Sequence, residues 1–122
     1  MTPVERFREL LAIPTVSHVD TEDTDFARFE EFRAALERLY PRVHAHLERE
    51  IVAGHALLYR WRGGSPTAPL LLLAHQDGVD TAGQPWAPDP FGAGGEGVGT
   101  DATVYAPGPI ADKGALGGML VG

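Results

Sequence analysis

The sequence predicts an α/β fold, laid out as two helices, a β-hairpin, a buried central strand, a long loop and the start of a further helix. Three observations carry that expectation. Apolar residues recur at spacings of three and four through the first forty positions, then alternate with polar ones from Val43 to Ile51. Beyond them the run "LLLLA", Leu70 to Ala74, is apolar on every side, as suits a strand covered on both faces. Finally, the 15 glycines and 10 prolines are concentrated after Gly63, separating a helical front from a loop-rich back.

Each element has a local cause. Thr2, Pro3 and Glu5 form a capping-box pattern, with proline at the first helical position. Val4, Phe7, Leu10 and Leu11 then share one face, and Pro14 ends the helix by pushing its predecessor out of the helical region. After the acidic connection "SHVDTEDTD", Phe26, Phe29, Arg33, Leu36 and Leu39 mark a second helix, widened by Phe32 and closed at Tyr40-Pro41. Val43 to Ile51 reads as a strand with His44 and His46 on one face, and "ALLYRWR" pairs back on it across Gly54. The segment "GGSPTAP" reads as a loop. From Asp77 to Asp112 the composition is that of loops, with a short strand at most at "ATVYA". "GALGGMLVG" reads as the first turns of a helix.

The chain has 122 residues, a length for one domain with a modest core. A net charge of -7 with no basic run argues against nucleic acid and against an anionic membrane. No apolar run is long enough to cross a bilayer, no signal-peptide pattern opens the chain, and cysteine is absent. A cytoplasmic location is the expectation.

Four clusters invite a functional reading. His75 and Asp77 follow the leucine run, where polar groups that do chemistry gather beyond the ends of central strands. An imidazole that ligates zinc needs its other ring nitrogen held by an acceptor, and a nearby carboxylate does that; a histidine simply capping a strand is the competing reading. "GAGGEG", Gly92 to Gly97, matches a dinucleotide-binding spacing but lacks the strand before it and the helix after it, so it reads as a loop. His44 and His46 continue into Glu48 and Glu50, which marks a solvated edge rather than a metal site. Asp112, ahead of the last helix start, is either a carboxylate turned toward the strand ends or an acid favoured by the helix dipole.

Taken together, "LLLLAHQD", "PWAPDPF" and "DKGALGGML" resemble the zinc exopeptidases and aminoacylases, in their carboxypeptidase S-like branch. The segment "YPRVHAHLEREIVAGHALLYRWRG" is similar as well, so the resemblance runs from "LLAIPTVS" to "GGML". It implies that residues 1-122 form an incomplete N-terminal portion of a metallopeptidase catalytic domain. It further implies two zinc ions and hydrolysis of an amide bond in a peptide or N-acyl amino acid, with homodimerisation a property of full-length relatives. Carried over, His75 is a ligand of one zinc, Asp77 is the catalytic carboxylate that orients it, and Trp86, Pro90 and Phe91 are structural. The family usually reads Gly-Arg-Gly-x-x-Asp-x-Lys-Gly, whose aspartate bridges both metals. Aligned without a gap on Lys113 and Gly114, that position is Ala111, which cannot ligate; a slip of one residue brings Asp112 there. A catalytic zinc takes about three protein ligands plus water, so the expectation is a chain inactive alone. The alternative is a non-catalytic remnant or interaction module whose open sheet edge another chain covers.

Overall fold

Why the front of the chain folds as it does is visible from its first turn. The computed structural model describes residues 1–65, 67–85, 89–92, 95–96, 103–106 and 112–121. Helix α1 spans Pro3–Leu11, and its capping box is formed: the Glu5 amide donates to Thr2 Oγ1 at 3.2 Å and the Thr2 amide to Glu5 Oε2 at 2.6 Å. After a single 3-10 turn at Thr21–Asp23, α2 spans Phe26–Leu39, capped by Asp25. Phe29, Phe32, Ala35, Leu36 and Leu39 form its buried face. With Leu10, Ile13 and Tyr40 most of these make the core, against which Val43, Leu57, Leu116 and Leu120 pack.

Residues 41–47 differ from the strand expected of them. Pro41–His46 forms a short helix, α3, and the strand begins only at Glu48. Proline fits the first helical position, and Val43 packs against the core. His44 and His46 therefore stand two apart on a helix, roughly 200° around its axis, rather than on one strand face.

Strands β1 (Glu48–Val52) and β2 (Ala56–Arg60) pair antiparallel, with Val52 opposite Ala56. Ala53 and Gly54 turn the hairpin with φ of 52° and 84°. Glycine takes that left-handed conformation freely, while Ala53 bears a cost of roughly 1–2 kcal/mol. An ion pair between Arg49 and Glu37 ties the hairpin to α2. A second two-stranded ribbon, β3 (Gly95–Glu96) with β4 (Thr103–Val104), includes part of the "GAGGEG" stretch and of "ATVYA".

The leucine run is the largest correction. Leu70 to Leu73 join no strand ladder, and their exposures run from 63 to 85%. A wholly apolar run becomes a buried central strand only when neighbours pair with both its edges and cover both its faces. Among the described residues none does so. Nearby, Val16 and Gly78 form a parallel bridge. The result is a mixed helix and small-sheet arrangement of the α/β type, without the buried central strand.

Helix α4, Gly114–Val121, lies against α1. Gly117 permits the approach, since a Cβ there would sit 3.1 Å from the Phe7 ring. Among the described residues no helix is long and apolar enough to cross a membrane.

Candidate metal centre

Three segments far apart in sequence meet at His75. The first is the turn after α1. Thr15 Oγ1 donates to the Gln76 carbonyl at 2.7 Å, and the Thr15 carbonyl accepts from the Gly78 amide at 2.6 Å. Ser17 Oγ donates to Asp77 Oδ2 at 2.5 Å. Because Pro14 stops α1, residues 15–17 are free to run beside 76–78 and clamp them.

The second segment carries the pair itself. His75 Nδ1 lies 3.4 Å from Asp77 Oδ1, an electrostatic contact longer than an ordinary hydrogen bond. The His75 side chain is 74% exposed. With Ser17 engaging Oδ2, the Asp77 carboxylate has one oxygen anchored and the other facing the imidazole. That arrangement favours the tautomer with the proton on Nδ1 and a lone pair on Nε2.

The third segment leads into α4. Asp112 Oδ2 accepts from the His75 backbone N–H at 2.7 Å. Asp112 has a φ of 121°, a region that side chains disfavour by about 1–3 kcal/mol. The adjacent Lys113 anchors this turn. It is 2% exposed, its Nζ donates to the carbonyls of Ile13 at 3.0 Å and Leu10 at 3.4 Å, and it sits 4.9 Å above the Phe32 ring. Burial lowers its pKa to about 8, partly opposed by the negative charge of Asp77.

His75, Asp77 and Asp112 are thus neighbours, while Ala111 and Trp86 lie outside the described residues. His44 and His46 are not brought to them. Both ring nitrogens of His44 are engaged, Nδ1 with the Tyr40 carbonyl at 2.9 Å and Nε2 with the Tyr59 hydroxyl at 2.8 Å. Ser17, Thr15 and Lys113 are the contributors that local sequence patterns do not announce. The signal for the first two is the pair of hydroxyl residues just past Pro14.

The donor set suits zinc in kind, being imidazole nitrogen and carboxylate oxygen. In number it is short: among the described residues no three His, Asp or Glu side chains converge as a metal-holding group. His75 Nε2 and the second oxygen of Asp112 are two donors where a catalytic zinc takes about three.

Comparison with known proteins gives the same direction as the motifs. Probable carboxypeptidase S-like 1 of Dictyostelium discoideum is 33% identical over 88 residues, 70% of this chain and 18% of its own length. Carboxypeptidase S of Saccharomyces cerevisiae is 39% identical over 82 residues, 62% of this chain and 14% of its own. An N-fatty-acyl-amino acid synthase/hydrolase of Mus musculus is 33% identical over 92 residues, 71% of this chain and 18% of its own. The chain thus spans less than a fifth of the length of these curated relatives. No family model matches the sequence, and no solved structure matches the fold. The resemblance to carboxypeptidase S-like proteins stands on several relatives at 30 to 39% identity.

Proposed function

We propose that this chain, homologous over part of its length to carboxypeptidase S-like proteins, carries one corner of the metal centre of a zinc amidohydrolase. The supporting observation is the junction at His75: a carboxylate beside Nδ1, a second carboxylate on its backbone N–H, and relatives named as carboxypeptidases and acyl-amino acid hydrolases. In this reading His75 Nε2 would hold a zinc ion, Asp77 would orient the imidazole, and Asp112 would offer a further carboxylate. The substrate is an amide of a peptide or N-acyl amino acid.

Each residue has a task that its surroundings suit. Asp77, held by Ser17, keeps the proton on Nδ1 and the Nε2 lone pair outward. Asp112 keeps one oxygen on the His75 amide, which leaves the other free to ligate. Lys113 ties that turn to the end of α1. When bound, zinc supplies Lewis acidity toward an amide carbonyl and acidifies a water. Among the described residues the ligands do not complete a catalytic set, and hydrolysis requires others.

Calorimetric zinc titration of the chain and two variants tests this reading. The expected result is weak binding that is lost in His75→Ala and falls about tenfold or more in Asp77→Asn. Binding untouched by either substitution overturns it.

The alternative, a module covered by another chain, draws on the exposed Leu70 to Leu73. Concentration-dependent sedimentation that Leu71→Asp abolishes favours it, and a monomer at all concentrations counts against it.

A further inference from the structure

The junction at His75 makes no use of the leucine run that precedes it. Leu70 to Leu73 are 63 to 85% exposed, and among the described residues no hydrogen bond engages the backbone of Leu70 to Ala74. Free backbone groups beside exposed apolar side chains are a template for strand pairing. The two edges of the run differ. In an extended segment successive residues turn their N–H and C=O groups to alternate edges. On the edge of the odd-numbered residues, Pro69 has no N–H to give, and the His75 N–H donates to Asp112 at 2.7 Å. That edge is closed at both ends. On the edge of the even-numbered residues, Thr15 engages the Gln76 carbonyl and the Gly78 amide. Leu70, Leu72 and Ala74 are left as one open row.

We propose that this open edge pairs antiparallel with the same edge of a second copy of the chain, Leu72 opposite Leu72. The second copy is then the covering chain of the alternative reading above, on which the inference rests; the zinc site plays no part in it. Symmetry and sequence set the register. A two-fold antiparallel pair places one residue opposite itself, and Leu72 is the middle residue of the apolar run Leu70 to Ala74. This register matches every member of the run with another, Leu71 with Leu73 and Leu70 with Ala74. Leu70, Leu72 and Ala74 then exchange the ladder bonds, while Pro69 and His75 fall where none is made. Charge sets the direction. Between Arg62 and Asp77 the sequence has no carboxylate, lysine or arginine. A parallel pair in register would set Asp77 beside its own copy, and the antiparallel pair sends the two carboxylates to opposite ends of the ribbon. With the odd-numbered edge closed, pairing stops at two chains. A standard interface buries about 800 Å² per partner over some 20–30 residues. One short run supplies less, so the dimer is weak, with a Kd above about 10 μM.

The test uses the whole chain with metal chelated. Sedimentation from about 5 to about 500 μM is expected to show a monomer–dimer equilibrium that the exposed-site variant Leu71→Asp weakens at least about tenfold. The chain has no cysteine of its own, so single substitutions report the register. Under mild oxidation by diamide, Leu72→Cys is expected to form a disulfide dimer with itself, and Leu70→Cys to form one with Ala74→Cys in a mixture. Leu70→Cys alone should react at least about tenfold more slowly, because its two copies stand about 14 Å apart along the ribbon, beyond disulfide reach. The mixture keeps the test sound where cysteine at Leu72 itself weakens the pairing. A monomer at every concentration overturns the pairing and the alternative reading together. Association that Leu71→Asp abolishes, with Leu70→Cys oxidising alone as fast as Leu72→Cys, overturns this pairing and leaves a module covered in another way. Growth past the dimer overturns the closed edge and with it the proposal.

Discussion

Lys113 Nζ donates to the Ile13 carbonyl at 3.0 Å, joining two residues a hundred positions apart. The contact places a cation on carbonyls at and just past the end of α1, where the helix dipole favours it. It also fixes the turn at Asp112, whose carboxylate reaches His75. Burying the ammonium has a cost that its pKa records.

Stability of the metal-free chain should therefore rise with pH above about 8. Burial lowers the Lys113 pKa from 10.5 to about 8 in the folded state. Between those values the unfolded chain binds more protons than the folded one, so unfolding becomes less favourable as pH increases. The penalty is fully present below the folded pKa and relieved toward the unfolded one, with an upper bound on the order of 3 kcal/mol. Urea midpoints at about pH 7.5 and about pH 9.5, with a chelator present, check it. Lys113→Met should flatten the slope; an unchanged slope assigns it to another group.

The capping box makes a separable contribution at the other end of α1. Thr2→Ala removes the acceptor for the Glu5 amide and should cost about 1 kcal/mol by chemical denaturation. The other half of the box is the one that titrates: Glu5 is held below its usual carboxylate pKa by the Thr2 backbone N–H, so the stability this bond gives is present above the ordinary glutamate pKa and lost as pH falls through the folded one.

Core and leucine run should respond oppositely to truncation. Phe32 is fully buried, and Phe32→Ala should cost about 3–5 kcal/mol, enough to leave much of a chain this small unfolded. Leu72 is exposed, and Leu72→Ala should stay within about 0.5 kcal/mol. A loss of about 2–5 kcal/mol at Leu72 would show a buried strand after all.

The elements that could be read from sequence are those whose causes are local. Thr2, Pro3 and Glu5 announce α1, the Phe29-to-Leu39 stripe announces α2, and Gly54 announces the hairpin. Val43 to Leu47 misleads because His44 and His46 alternate with apolar residues as in a strand, while Pro41 starts a helix. The leucine run misleads for a different reason: hydropathy reports what a segment favours, and only paired neighbours can bury it. At the site, His75, Asp77 and Asp112 were legible as residue types, and the structure makes them neighbours although no strand leads into His75. Ser17 and Thr15 were not, because they meet Asp77 and Gln76 across some sixty positions. Nor was the burial of Lys113, a residue type almost always exposed unless paired.

The central question is where a divalent ion sits. Cobalt(II), a paramagnetic stand-in for zinc, titrated into the isotopically labelled chain locates it through distance-dependent broadening of NMR signals. Broadening is expected to centre on His75, Asp77 and Asp112 and to disappear in His75→Ala. Broadening centred on His44 and His46, persisting in His75→Ala, would contradict this placement.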